Sequence, residues 1–288
     1  MLSLLRLFLL IIFLPLSAGL LWGVEYTLDP DVTYKINESF TLKSKEKIYR
    51  KGEVLYCTGN SSIARANNEA ALMIENREFE KGVLLIEKNL KNDALFFPLR
   101  YNLGVAYLYL EEFKKALVHF EKARLIVPEY SRTYLQIGFI YSIWKKENMS
   151  IDYYREAQKR NNKDLDTYIL IGDIYYNRNQ IDMAKKYYDA SLRVNHRFPN
   201  GLLGRAKIHF IRGEYIKALF LLKSIDISGD YDRSYHYFYA ECAFKLQDYR
   251  TASEHYEKML KFRNDKFFLT NSPALIEHKL NLSRRFVD

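Results

Sequence analysis

Cysteine is nearly absent: 288 residues hold only Cys57 and Cys242, far apart and outside any CxxC or Cys/His cluster. That excludes a cysteine-built metal or redox motif and a disulfide-stapled scaffold. If the chain is exported, a bridge between the two is chemically allowed, but their separation favours two free, packed thiols. Proline and glycine are also scarce, at 6 and 12 residues, which excludes a loop-rich sandwich or a disordered chain and leaves long packed helices with short turns. No GxSxG, HExxH, P-loop or dinucleotide fingerprint occurs, so no enzyme class, cofactor or metal is indicated. There is no arginine-rich tract either. The net charge of +9 arises from interleaved signs, as in Glu111-Glu112-Phe113-Lys114-Lys115. This fits solvated helix faces, with a surplus open to anionic lipid or an acidic partner; no nucleic acid and no small-molecule substrate is expected.

A long apolar run occurs once, within residues 1–24. Arg6 is the only charge before Leu7 to Leu14, which Pro15 and the small residues Ser17, Ala18 and Gly19 follow. A basic start, an apolar middle and a small-residue exit describe a secretory signal peptide, with cleavage after Gly19 preferred. The competing reading is an uncleaved membrane anchor. Leu7 to Leu21 would span only about 22 Å as a helix at ~1.5 Å per residue, and flanking residues would be needed to reach a ~30 Å hydrocarbon core. No cysteine follows the run before Cys57, which argues against a lipoprotein. Either leading reading exports the remainder, to the periplasm or to a membrane-anchored position facing it.

Residues 25–62 have a different texture. Val32 to Ile36 and Phe40 to Leu42 alternate in the strand manner, and Ile48 to Arg50 and Glu53 to Tyr56 flank Lys51-Gly52 as a two-residue hairpin turn. Such a small ribbon is marginal alone and should pack against the first of the segments beyond residue 62.

Beyond residue 62 the sequence repeats with a fixed period of 34. Leu103-Gly104-x-x-Tyr107, Ala116-x-x-x-Phe120 and Pro128 recur as Ile137-Gly138-x-x-Tyr141 and again as Ile171-Gly172-x-x-Tyr175 with Ala184-x-x-x-Tyr188. The windows are 63–96, 97–130, 131–164, 165–198, 199–232 and 233–266. Position eight reads Ala70, Gly104, Gly138, Gly172, Ala206 and Ala240, small where two helices cross. Position twenty reads Gly82, Ala116, Ser150, Ala184, Ala218 and Ala252, equally small. Position twenty-four reads Ile86, Phe120, Tyr154, Tyr188, Leu222 and Tyr256, large enough to fill the space beside that crossing. Past the last window, Ser272-Pro273 opens an amphipathic stretch within 267–288 that should cap the open end.

Over residues 63–266 the chain resembles the tetratricopeptide repeat (TPR) family. The resemblance implies an all-α fold: a right-handed superhelical solenoid of six helix-turn-helix repeats, with the small N-terminal β-ribbon and the C-terminal capping helix added. It also implies a non-catalytic scaffold whose concave groove, lined by the first helix of each repeat, binds a protein or peptide. At the family's groove-facing positions this sequence carries Tyr101, Val105 and Tyr109; Arg132, Leu135 and Phe139; Ile169, Asp173, Tyr176 and Asn177; Leu203, Lys207 and Phe210; and Tyr237, Glu241 and Phe244. This aromatic and aliphatic stripe suits an apolar stretch of a partner, extended or helical. Part of it could instead pack neighbouring first helices together. The family's carboxylate clamp would fall on Asn67, Ala71, Asn102, Arg132 and Gln136, too incomplete to carry over.

His119, His196, His209, His236, His255 and His278 fall at scattered repeat positions. His209 takes a slot filled elsewhere by Tyr or Met, so packing explains it better than ligation. The sequence therefore points to an exported scaffold within an envelope or membrane-associated complex. The alternative is an envelope-assembly or maintenance factor acting through residues 25–62.

Overall fold

The computed structural model describes residues 26–27, 47–91, 93–226, 233–261 and 273–287. The export segment 1–24 and the strand expectations at 32–36 and 40–42 lie outside the described residues. The chain divides into two compact units, Leu20–Asn162 and a second containing Lys163–Asp288. Among the described residues no helix is long and apolar enough to cross a membrane.

The first unit opens with a three-stranded antiparallel sheet, β1 (Tyr26–Thr27), β2 (Ile48–Lys51) and β3 (Val54–Cys57), in the order β1-β2-β3. The β2–β3 hairpin pairs Lys51 with Val54, so its loop is Gly52-Glu53, one residue later than Lys51-Gly52. The reason is local: Gly52 has φ +56° and Glu53 is not in the left-handed region, and a loop with glycine first suits a primed hairpin turn. Three helical hairpins follow: α1 (Ser62–Glu75) with α2 (Phe79–Leu90), α3 (Phe97–Tyr109) with α4 (Phe113–Ile126), and α5 (Ser131–Ile143) with α6 (Glu147–Arg160). Ser61 starts α1, its hydroxyl accepting the Ala64 N–H at 3.2 Å, and Pro98 sits in the first turn of α3, where a missing N–H costs nothing.

The second unit holds three more hairpins: α7 (Leu165–Asn177) with α8 (Ile181–Val194), α9 (Pro199–Ile211) with α10 (Tyr215–Lys223), and α11 (Arg233–Lys245) with α12 (Tyr249–Leu260). The helix α13 (Pro273–Arg285) ends it. Ile276 and Leu280 of α13 join Ala240, Ala243, Ala252, Tyr256 and Met259 in one core cluster, and Phe286 stacks on Tyr249 with ring centres 4.6 Å apart. The end of the sixth hairpin is thereby capped.

The repeat is visible in the backbone. Arg77, Glu111, Lys145, Asn179, Gly213 and Gln247, spaced by 34, all have positive φ, the left-handed residue that ends the first helix of each hairpin. Side-chain packing follows the size pattern. A Cβ on Gly104 would lie 2.7 Å from the Phe120 ring, on Gly138 2.7 Å from Tyr154, and on Gly172 2.6 Å from Tyr188. Ala116, Ser150, Ala184, Ala218 and Ala252 on the second helices are fully buried. Cys57 and Cys242 are both buried, and burial, followed by the Glu241 charge, pushes the Cys242 thiol up to about 12.

Candidate functional site

In the Leu20–Asn162 unit the face of the first helices is already filled, and the occupant is β3. An antiparallel strand at a sheet edge has every second residue's N–H and C=O turned outward, unpaired by its neighbour. In β3 these belong to Leu55 and Cys57. The Leu55 N–H donates to Asn102 Oδ1 at 2.8 Å, and Asn102 Nδ2 donates back to the Leu55 carbonyl at 2.8 Å. The Cys57 N–H donates to Asn68 Oδ1 at 2.8 Å, and Asn68 Nδ2 donates to the Cys57 carbonyl at 2.7 Å. Asn67 Nδ2 adds a bond to the Leu55 carbonyl at 2.8 Å, and Asn102 Nδ2 also donates to Asn67 Oδ1 at 3.0 Å. One step further, Gln136 Nε2 donates to the Glu53 carboxylate at 2.7 Å. Asn68, Asn102 and Gln136 share position six of three successive repeats, and they meet residues 57, 55 and 53. The amides thus form a ladder that reads the strand two residues at a time.

The ribbon is buried as well as bonded: Val54, Leu55, Tyr56 and Cys57 are all core residues. Tyr56 stacks on Tyr49 and donates its hydroxyl to Glu75 at 2.9 Å, where Lys51 also ends. Burial foremost, with the Glu75 bond and charge, raises the Tyr56 phenol well above its ordinary value. Of the groove positions expected in this unit, Tyr101, Val105, Arg132, Leu135 and Phe139 are buried. Tyr101 packs edge-on against Phe120 and Tyr130, at 5.5 and 5.3 Å, as part of the interior. Tyr109 remains 37% exposed, stacked on Phe79, its phenol pushed up to about 12 by burial and then by the Glu53 charge.

The same face of the Lys163–Asp288 unit is different. Ile169, Asp173, Tyr176, Lys207, Phe210, Tyr237 and Phe244 are half-buried and Asn177 is exposed, while Leu203 and Glu241 are buried. Asp173 Oδ1 accepts the Tyr188 hydroxyl at 2.6 Å and Lys207 Nζ at 3.2 Å. Lys207 also lies over the Tyr176 ring, 5.8 Å from its centre. Tyr237 is pushed up to about 12 by burial, then by Glu241 and Tyr176. Phe210 packs edge-on against Phe238. Glu241 repeats the Asp173 arrangement, accepting the Tyr256 hydroxyl at 2.8 Å and, from α13, Lys279 Nζ at 2.5 Å. The result is a belt of aromatic and aliphatic surface with two internally paired carboxylates.

Two clusters were not foreseen from spacing. His236 and His255 meet with Nδ1 atoms 3.0 Å apart, His255 stacked on Tyr239 at 3.9 Å. Only the fold brings repeat positions four and twenty-three together. His209 is bonded to Glu214 and lines an outer cavity of about 440 Å³ with Leu192, Arg205, Ile216 and Phe220, rather than packing in the core. Among the described residues no group of three or more His, Cys, Asp or Glu could hold a metal ion. The amide ladder was not read from the sequence either; the signal that could have found it is a side-chain amide at position six of three successive repeats, Asn68, Asn102 and Gln136.

Comparison with known proteins bears on the fold. The tetratricopeptide repeat model matches residues 97–123 and 131–164. The model described as anaphase-promoting complex, cyclosome, subunit 3 matches residues 177–259. A TPR repeat-containing protein of Methanocaldococcus jannaschii is 22% identical over 224 residues, covering 74% of this chain and 39% of its own length. The chain therefore spans well under half of that relative. Among solved structures, PilW, titled a widely conserved type IV pilus biogenesis factor, aligns with a TM-score of 0.59 at 16% identity, over 74% of this chain and 99% of its own. Pseudomonas aeruginosa pilF aligns with a TM-score of 0.61 at 16% identity, over 73% and 96%. At such identity the likeness carries the fold alone, a solenoid of helix-turn-helix repeats, to which this chain adds the small N-terminal sheet and the terminal helix described above. Over residues 97–123 and 131–164 the chain carries repeats of the tetratricopeptide family.

Proposed function

We propose that the protein is a non-catalytic scaffold that binds a partner protein or peptide on the first-helix face of the Lys163–Asp288 unit. The observation that carries this is the contrast between the two units. In Leu20–Asn162 that face is filled by the chain's own strand. In Lys163–Asp288 it presents Ile169, Tyr176, Lys207, Phe210, Tyr237 and Phe244 half-exposed. Rigid aromatics that are partly desolvated and flanked by charged groups are the residue types on which interfaces concentrate their binding energy. The residues foreseen in the first three repeats then serve the interior and the ribbon.

A photo-activatable cross-linking residue at position 176, in the cell that makes the protein, tests this. One discrete adduct is expected from position 176 and none from position 72, on the outward side of α1. Adducts of equal yield from both positions, or none from position 176, would sink the proposal.

Export belongs to the same reading. Residues 1–24 would carry the scaffold to the envelope, where it serves a membrane-associated complex. The support is the order Arg6, Leu7 to Leu14, Ser17 to Gly19. Intact-mass measurement of the mature protein should show a start at residue 20 if the segment is a cleaved signal, or the full chain in the membrane fraction if it is an anchor. A full-length protein in the cytosol would contradict both.

A further inference from the structure

We infer that the partner of the Lys163–Asp288 face is an amphipathic α-helix carrying a lysine or arginine beside its apolar stripe, and not an extended strand. The inference rests on the proposed function and specifies the occupant of that site.

An extended segment laid on a helical face brings outward N–H and C=O groups that lose water on docking, and each needs a partner. The Leu20–Asn162 unit shows what meeting that need requires: Asn68 and Asn102 each hold both groups of one strand residue, and Asn67 adds a further donor. In the Lys163–Asp288 unit the same position six holds Leu170, Gly204 and Phe238, and position five holds Ile169, Leu203 and Tyr237. No side-chain amide stands at either position, so a strand here would leave its edge unpaired. A helix satisfies its own backbone and asks the face only for apolar contact.

Charge supplies the second argument. Position nine in these repeats reads Asp173, Lys207 and Glu241. Both carboxylates take the hydroxyl of the tyrosine at position twenty-four of their own hairpin. Each also takes one lysine on the oxygen that holds the tyrosine, Lys279 on Glu241 and Lys207 on Asp173. What differs is cover: Lys279 comes from the amphipathic helix α13, and the Glu241 side chain is 6% exposed, whereas Lys207 belongs to the face itself and the Asp173 side chain is 38% exposed. A basic residue on a docked helix would cover Asp173 as Lys279 of α13 covers Glu241.

The test is a selection of random peptides of about 16 residues, roughly four helical turns, on the immobilised full chain. Parallel selections use Tyr176→Glu and, separately, Tyr237→Glu, each first shown to unfold at the wild-type temperature. The expected winners carry apolar residues at i, i+3, i+4 and i+7 with a basic residue between them. They gain helical circular dichroism on binding and lose about tenfold or more in affinity on both variants, as losing an anchoring aromatic should cause. Winners that discriminate against the variants but alternate apolar and polar residues would overturn the helix inference and leave the site standing. Winners that bind wild type and both variants alike would overturn the site and the inference together.

Discussion

Asn102 concentrates the chemistry of the Leu20–Asn162 unit in one side chain, since it donates to and accepts from the same buried residue, Leu55. Asn102→Ala would leave the Leu55 N–H and the Asn67 Oδ1 without their partner, each costing about 1–3 kcal/mol when buried unpaired, while the Leu55 carbonyl keeps Asn67. A loss on the order of 3 kcal/mol in that unit is expected in urea titration. A loss below the ~0.5 kcal/mol of an ordinary surface change would mean the amide is not holding the strand. His255 makes a second residue-scale claim. Burial, then His236 and Lys258, lowers it to about 3, so the fold keeps the ring neutral while the unfolded chain takes a proton near pH ~6.5. Its contribution is therefore fully present above about pH 6.5 and is lost as pH falls toward about 3, at up to about 1.4 kcal/mol per unit. Thermal unfolding at pH 7 and pH 5 should show a smaller acid loss for His255→Gln than for wild type; equal losses would refute the buried neutral ring. His119, lowered to about 4 by burial and Arg100, adds to the acid loss in both proteins. The sequence displayed all these residues but not their meetings. His236 and His255 are 19 apart and touch only because a hairpin folds them together.

At the scale of the element, most of the helices were legible. Residue size at positions eight, twenty and twenty-four reports a contact the repeat must make, and the Gly172–Tyr188 crossing is one instance. Alanine at 172 would gain helix propensity of about 1 kcal/mol. Its methyl, however, would lie 2.6 Å from a ring whose hydroxyl is tied to Asp173, so the ring cannot simply step aside. Gly172→Ala should lose about 1–2 kcal/mol net. Gly82→Ala, whose methyl meets chiefly the flexible Ile74 side chain at 3.1 Å, should be close to neutral. Equal effects at both sites, measured by thermal unfolding, would contradict the crossing geometry. The turns were less legible. Arg, Glu, Lys, Asn, Gly and Gln share the left-handed position, so side-chain identity hides a conformation the 34-residue period imposes. The hairpin loop was misplaced by one residue for the opposite reason: Gly52 was recognised, but not as the first loop residue.

At the scale of the whole molecule, each unit puts the same face to a different use. A period finds the first helices and the positions that line them, but it does not say whether the chain covers those positions itself. Tyr101 and Phe139 follow the groove pattern as faithfully as Tyr176, yet the first two are buried and the third is half-exposed. Tyr101 packs into the interior against Phe120 and Tyr130, and residues 47–58, which lie outside the repeat and so are invisible to its period, are held on the same face by Asn67, Asn68 and Asn102. Hydrogen exchange at Leu55 and Cys57 tests this most directly. If the amide ladder holds β3 on the face, both N–H groups should exchange as slowly as the interior of α3, protected by the unfolding of the whole unit. Exchange as fast as an unstructured segment would mean that the face of the first three repeats is open. The contrast between the units, on which the proposed binding site rests, would then be lost.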